Sequence, residues 1–413
     1  MMGRVSFLNQ RKYGARHVAC VYLCLAVFCL GDGVAASPGQ ATIRPSVVKL
    51  ALGETTRFHV DTAGSRVAGV RWFVNDVEGG TAASGTIDAG GLFRAPATAA
   101  APGEVSIRAS IKGSGSTSLW ATVLIGPTAA RYRLVQRWGE RGEGAGRFLG
   151  PHGISLDNDG HIIVIDSVSS RVSRYAVDGR FLGEVGSGAG SERGAFKAPR
   201  DARVVARGRV FVSDADNHRI QVFSPEGRLL QLFGQKGSGR GELLRAHALD
   251  FDQRQRLYVA DVYNSRIAVF SHSGKFLFAW GKDGRQPGEF RAPHGIGVDP
   301  NGDVIVSNYY GPCQKFTPKG EFLFDFAPAQ PPDGYIHFHS MAVDRWGNVY
   351  LTARDRLQRG SIVKYNNNGD FITSWRLSAE DLVVESVTID AQGKVYAAYR
   401  GSGRMGVEVY APG

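Results

Sequence analysis

Cysteine is scarce in this chain. Four occur in 413 residues, and three of them, Cys20, Cys24 and Cys29, fall within the first 30. None of the three follows the small residues that a lipid-attachment site needs. Beyond that segment only Cys313 remains, which excludes an internal disulfide and any cysteine-rich metal cluster there. The apolar stretch at residues 18–30 (VACVYLCLAVFCL) has 13 residues, short of the roughly 20 that a spanning helix needs. No apolar stripe with a 3.6-residue period stands out, which argues against a helical architecture. Missing as well are an HExxH zinc pair, a serine nucleophile elbow and a basic run with interleaved aromatics. The stretches GERGEGAG and GSGAGSERG are glycine-rich but lead into no helix, so a phosphate loop is not expected.

What the N-terminus does have reads as an export signal. Arg4, Arg11, Lys12 and Arg16 precede the apolar stretch, and GVAAS follows it, with small residues suited to cleavage after Ala36. The expectation is a signal peptide at 1–36, with an uncleaved anchor as the alternative, and an exported protein, periplasmic or extracellular, with no stable membrane span after cleavage. The formal charge is +11; the first 36 residues carry a net +3, leaving about +8 on the remainder. In an exported protein that balance suits anionic glycans, lipid head groups or cell-wall polymers. An Arg-rich solvated surface explains it equally, and no nucleic-acid partner is expected.

Glycine is abundant instead, 54 of 413 residues without a collagen-like period, and it implies many tight turns between short strands. An all-β protein is therefore expected. Residues 40–126 hold alternating segments such as VVKLALGETTRFHV, VAGVRWFVND and EVSIRASI, which suggest a small β-sandwich. A linker at 127–131 would follow. From Tyr132 onward the chain repeats. The clearest unit, residues 245–281, reads as four strands. The ends of the second strands fall at Asp166, Asp214, Asp261, Asn308, Ala353 and Tyr399, spaced by 48, 47, 47, 45 and 46 residues. Four strands at this period describe propeller blades. The sixth copy ends after its third strand, while YRLVQRWG (132–139) is a fourth strand without a blade, so the two are expected to close one ring over 132–413.

Aligned on the Asp that ends each first strand, the residue five positions earlier is His152, His247, His294, His339 or Glu385; blade 2, aligned on its second strand, places Arg200 there. Six such positions would form a ring at one mouth of the channel. His152, His247 and His339 come from alternate blades, and three imidazoles with an open position suit a catalytic zinc ion. His294 is then a fourth ligand or proton shuttle, Glu385 a base or orienting group, and Arg200 a seat for an anionic substrate. The plainer reading is that these His bond to backbone at the turn. Asp214, Asp261 and Asn308 are candidates for ligand or calcium binding, or for satisfying backbone groups in their loops. Tyr263, Tyr309 and Tyr310 lie in neighbouring loops. Cys313 takes the place of an Arg found before the third strand in other blades, a scaffold position.

DADNHRIQVF (214–223) and DVYNSRIAVF (261–270), with PHGISLDNDG and PHGIGVDPNG, resemble the NHL repeat over residues 132–413, and the resemblance implies a six-bladed propeller. The Trp72 stretch and GGLFRAP resemble group 2 bacterial immunoglobulin-like domains, implying a spacer or adhesive module. The three-His pattern is similar by blade to that of peptidyl-hydroxyglycine amidating lyase, an NHL enzyme that holds zinc through three His. That lyase uses a Tyr in the second-to-third-strand loop of blade 2 and an Arg in the matching loop of blade 3. This chain has SDADNHR (213–219) in the first place, without a Tyr, and DVYN (261–264) in the second, without an Arg. Two functions follow: an exported binding or scaffold protein recognising a peptide, glycan or surface polymer at the channel mouth, or a zinc-dependent lyase or hydrolase using the His ring.

Overall fold

The computed structural model describes residues 41–412 apart from 63–68, 98–102, 112–116, 126–131, 158, 206–207, 310 and 328–336. The expected signal segment, the linker and Tyr310 lie outside the described residues. Among those described there is no α-helix; two 3-10 turns, Ala215–Asn217 and Val262–Asn264, are the helical elements. No helix is long and apolar enough to cross a membrane.

Six four-stranded antiparallel sheets follow one another. Blade 1 is Pro151–Leu156, Ile162–Asp166, Arg171–Tyr175 and Phe181–Val185. Blade 2 is Ala202–Val205, Arg209–Asp214, Arg219–Phe223 and Leu229–Phe233. Blade 3 is Ala246–Phe251, Leu257–Asp261, Arg266–Phe270 and Phe276–Trp280. Blade 4 is Pro293–Val298, Val304–Asn308, Cys313–Phe316 and Phe322–Phe326. Blade 5 is His337–Val343, Val349–Arg354, Gly360–Tyr365 and Phe371–Arg376. Blade 6 takes Val383–Ile389, Val395–Arg400 and Met405–Pro412, and its outer strand is Tyr132–Trp138, paired antiparallel with Met405–Pro412. Both ends of the repeat region thus share one sheet, and every blade has two neighbours.

The first strand of each blade is innermost and contacts the first strands on either side. The second strands are fully apolar or nearly so (IIVID, LYVAD, VIVSN) because both faces are covered by neighbouring blades. Between adjacent blades lies a separate core. Ile163, Val172 and Phe196 join blades 1 and 2; Phe211, Leu249 and Phe270 join 2 and 3; Tyr258, Ile296 and Phe316 join 3 and 4. Cys313, Phe338 and Leu351 join 4 and 5; Ile362, Val387 and Tyr410 join 5 and 6; Ile154, Tyr175 and Val407 join 6 and 1. The last of these closes the ring. Cys313 is fully buried and burial pushes its thiol up from its usual value, so it fills core space rather than offering a nucleophile.

Turn chemistry repeats with the blades. The Asp ending the first strand (Asp157, Asp252, Asp299, Asp344, Asp390) accepts the backbone N–H groups two and four residues on, closing the first-to-second turn. In the third-to-fourth turn of blade 4, Gly320 has φ +87° and a Cβ there would lie 2.6 Å from the Trp280 ring of blade 3, so glycine is required by conformation and space alike.

Residues 41–125 form two small sheets and a two-stranded pair, Thr42–Arg44 with His59–Asp61, around Phe58, Trp72, Phe93, Ile107 and Val123. One sheet runs Val47–Leu50, Thr117–Ile125, Glu104–Ile111, Val70–Val74, Val77–Glu78, with its first pair parallel. The other runs Thr55–Arg57, Leu92–Arg94, Gly85–Ile87, Gly80–Thr81. This sandwich belongs to the same compact unit as the propeller and docks on it through polar anchors. Glu104 pairs with the buried Lys364 at 2.6 Å, Asn366 Nδ2 donates to Ser46 O at 3.1 Å, Asn368 Nδ2 to Trp120 O at 3.2 Å, and Asn301 Nδ2 to Ser118 O at 2.9 Å. Leu124 and Ile372 add an apolar contact. The contacts lie at first-to-second and third-to-fourth turns of blades 4 and 5, the opposite strand ends from His294 and His339, so the sandwich leaves the His-bearing mouth open.

Candidate metal centre

Five of the six ring residues are placed by one backbone device. The first strand of blades 1, 3, 4, 5 and 6 slips its register against the second strand between Pro151 and Gly153, Ala246 and Leu249, Pro293 and Ile296, Phe338 and Met341, and Val384 and Ser386. His152, His247, His294, His339 and Glu385 each sit inside such an irregularity. A bulge inserts backbone without a partner and re-aims its side chain. Here it gathers the ring at the channel mouth. In blade 2 the paired first strand begins at Ala202, and Arg200 stands just before it, its N–H 3.1 Å from Ser213 O while the Ser213 N–H is 2.9 Å from Asp201 O.

The three alternate-blade imidazoles form a nearly regular triangle. Ring centroids are 5.0 Å apart for His152 and His247, 4.8 Å for His152 and His339, and 5.2 Å for His247 and His339. One nitrogen from each lies within 4.8 Å of the other two. A triangle with 4.8 Å sides has corners about 2.8 Å from its centre, against a zinc–nitrogen distance of about 2.1 Å, so each ring needs an inward shift of less than about 1 Å. All three are buried.

Their other nitrogens are committed. His152 Nδ1 is 3.1 Å from Arg200 O, His247 Nδ1 is 3.1 Å from His294 O, and His339 Nδ1 is 2.9 Å from Glu385 O. A carbonyl only accepts, so each Nδ1 carries the proton and each Nε2 keeps its lone pair. In every case the carbonyl belongs to the next blade. Such an orienting bond fixes tautomer and ring plane, as metal-ligating His require. Burial, reinforced by neighbouring imidazoles, holds His152 and His247 well below the usual histidine range; burial lowers His339 too, with Glu385 opposing. The rings are therefore neutral, the state in which imidazole binds metal.

His294 differs. Its ring is 4.4 Å from that of His247, but its Nδ1 bonds within its own blade, to Ala292 O at 2.8 Å. Burial and the His339 ring lower it to about 3. Glu385 does not present a free carboxylate. Arg354 Nη2 is 2.8 Å from its Oε1, Arg400 Nε bonds the same oxygen, and its Oε2 is 3.8 Å from His339 Nδ1. Burial pushes this carboxyl up, and His339, Arg354 and Arg400 together bring it below its usual range. It orients and balances charge rather than accepting protons.

Arg200 lines the same small cavity as His152, His247, His294 and His339. The cavity offers ≈ 10 Å³ to the centre of a water-sized sphere, room for about one water or ion. Burial and Arg245 lower the Arg200 guanidinium from its usual value. Tyr263 is exposed and accepts a hydrogen bond from Arg245 Nη1 at 2.7 Å. Tyr309 stacks on His337 at 4.5 Å and lies 4.8 Å from the His294 ring. Both tyrosines stand on the mouth side.

Asp214, Asp261 and Asn308 bond backbone groups next to their loops. All three are buried, and their oxygens take the backbone N–H of Lys197 at 2.7 Å, Leu244 at 2.6 Å and Arg291 at 3.1 Å. Asp214 is also held by Asn217 and Arg219, and Asp261 by Asn264 and Arg266. They latch the connection from the preceding blade, and no oxygen faces the channel unpaired. What the sequence reading missed is the Nδ1-to-next-blade bond, the Arg354 and Arg400 clamp on Glu385, and His337 beneath Tyr309. Only the bulge has a sequence signal, the His-Gly pair of blades 1 and 4.

Residues 148–175 and 196–223 match the NHL repeat, and residues 247–308 match a family described as a 6-bladed beta-propeller. The chain thus carries NHL repeats and folds as a six-bladed propeller. No curated protein matches it in sequence. Among solved structures, a structural genomics protein of unknown function from Bacteroides thetaiotaomicron is similar at 17% identity and a TM-score of 0.51, over 91% of this chain and 98% of that one. A gluconolactonase from Xanthomonas campestris is similar at 14% identity and a TM-score of 0.50, over 69% and 90%. Virginiamycin B lyase from Staphylococcus aureus is similar at 12% identity and a TM-score of 0.47, over 68% and 89%. At these identities the likeness is one of fold.

Proposed function

We propose that the propeller mouth is a metal-dependent catalytic site, and that the protein is an exported zinc-dependent lyase or hydrolase. The observation that carries this is the threefold bond from His Nδ1 to the next blade's carbonyl, which leaves three neutral Nε2 lone pairs converging on one ion-sized space. A set of core imidazoles placed only for packing has no reason to share one tautomer and one centre.

His152, His247 and His339 would hold the ion, with the open mouth as the fourth direction. Zinc bound there supplies Lewis acidity toward a carbonyl or phosphoryl oxygen and acidifies a water. The residues of this chain do the rest. Glu385, pinned by Arg354 and Arg400, keeps His339 and the blade 6 carbonyl in place. His294 presents a neutral ring beside the site. Tyr263 and Tyr309 stand where a bound substrate would pass. The amidating reaction is not the one proposed, since the blade 2 and blade 3 loops lack the Tyr and Arg it uses.

The second reading is recognition of a peptide, glycan or surface polymer without chemistry, favoured by the exposed Tyr263 and its Arg245 partner. In either reading the sandwich, fixed to the opposite face, serves as a rigid base. Metal analysis of protein made without a His tag tests the proposal. About one zinc per chain is expected, lost when His152 and His247 are both changed to Ala. Protein free of any transition metal, and unable to take up added zinc, overturns it.

A further inference from the structure

Arg354, Arg400, Arg245 and Arg200 lie near the mouth, and the first three have partners. Arg354 and Arg400 share Glu385, and Arg245 is 3.7 Å from Asp216 and bonded to Tyr263 Oη. Arg200 has none: among the described residues its side chain makes no ion pair and no hydrogen bond, and its Nε is buried and unpartnered. Asp201, the nearby carboxylate that lines the same cavity, already pairs with Arg203 at 2.9 Å and accepts N–H bonds from Ala202 and Leu249. Asp216 and Glu385 attract it only from a distance, and a half-buried guanidinium with no counter-charge in contact is costly, because desolvation is only partly offset. It also stands beside imidazoles that are neutral and so repel it little.

We propose that Arg200 is an oxyanion seat next to the three-His centre, so that the natural substrate carries a carboxylate or phosphate and is held by that group with its reacting atom toward His152, His247 and His339. A guanidinium offers two parallel N–H donors to either anion. The seat is on the cavity wall, at a ring position where Arg stands in place of His. The part that names a substrate rests on the metal-site reading; the anion seat itself does not.

Titration calorimetry at fixed ionic strength tests it, with inorganic phosphate and acetate as probes, on metal-free and zinc-loaded protein. The proteins compared are the wild type, Arg200→Ala and Arg200→Lys. At least one anion is expected to bind the wild type, about tenfold or more weaker to Arg200→Ala, with part of the affinity kept by Arg200→Lys. Which anion binds distinguishes the two sources. Zinc stoichiometry is expected to be the same in all three, and the melting temperature of Arg200→Ala unchanged or higher. Equal anion binding by wild type and Arg200→Ala, or no binding of either anion to the wild type, overturns the proposal. A wild type that binds no zinc but shows Arg200-dependent anion binding overturns the metal site and leaves the seat standing.

Discussion

His339 donates its Nδ1 proton to the backbone carbonyl of Glu385 at 2.9 Å, across the boundary between blades 5 and 6, while the Glu385 side chain is clamped by Arg354. One residue thus steers a ring through its backbone and balances local charge through its carboxylate. The same backbone half of the arrangement recurs from His152 to blade 2 and from His247 to blade 4.

Removal of any one of His152, His247 or His339 by an Ala substitution is expected to weaken zinc binding by about a hundredfold or more, since two imidazoles do not make a structural or catalytic zinc set. His294→Ala keeps stoichiometric zinc, because its bonded partner is its own Ala292 and it stands outside the triangle. Equilibrium dialysis against competing chelator measures both. Equal losses from all four substitutions contradict the three-His centre.

Glu385→Ala strands Arg354, whose side chain is buried, without a counter-ion. A loss of about 3–5 kcal/mol is expected from chemical unfolding. Zinc affinity falls by about 10–100-fold as the orienting shell around His339 loosens. Glu385→Gln retains the hydrogen bonds and is expected to fall between.

Glu104→Ala leaves Lys364 buried without its bonded carboxylate at the sandwich contact, with Asp344 the carboxylate that remains near it. The expected cost is about 3–5 kcal/mol, read as a lowered unfolding midpoint. Pairing it with Lys364→Met removes the stranded charge and recovers most of that loss. If the single substitution is neutral, the sandwich is not fastened at this point.

Burial raises Asp303 to about 6, with Asp299 adding and Lys315 opposing. A carboxyl raised from 3.8 binds more proton in the folded than in the unfolded state between about pH 4 and 6, so this group's contribution falls as pH rises through that window and stays low above it. Asp303→Asn is expected to stabilise the protein at pH 7 by about 1–3 kcal/mol and to make no difference below about pH 4. Unfolding curves at pH 4 and pH 7 compare the two proteins. A variant less stable at pH 7 assigns the net effect to the Lys315 attraction instead.

The blades were legible in the sequence because each must bury both faces of its second strand and turn at a set length. That requirement leaves IIVID, LYVAD and VIVSN at near-constant intervals, closed by the Asp that binds its own turn. Alignment of those turns brings His152, His247 and His339 to equivalent places without any coordinates. Asp214 and Asp261 were legible as loop residues but not as latches, because their partners, Lys197 and Leu244, lie 17 residues back on another blade's connection.

Covalent order along the chain, through its period and its apolar alternation, determined that this protein is a ring of six blades with a polar residue at each inner position. Which nitrogen of each His faces the centre, which carboxylate is free and which guanidinium is not paired were decided by tertiary structure alone. Those properties depend on where a neighbouring blade's carbonyl or charge comes to rest, within about 3 Å for a hydrogen bond, and residues about 47 positions apart carry no local trace of that distance.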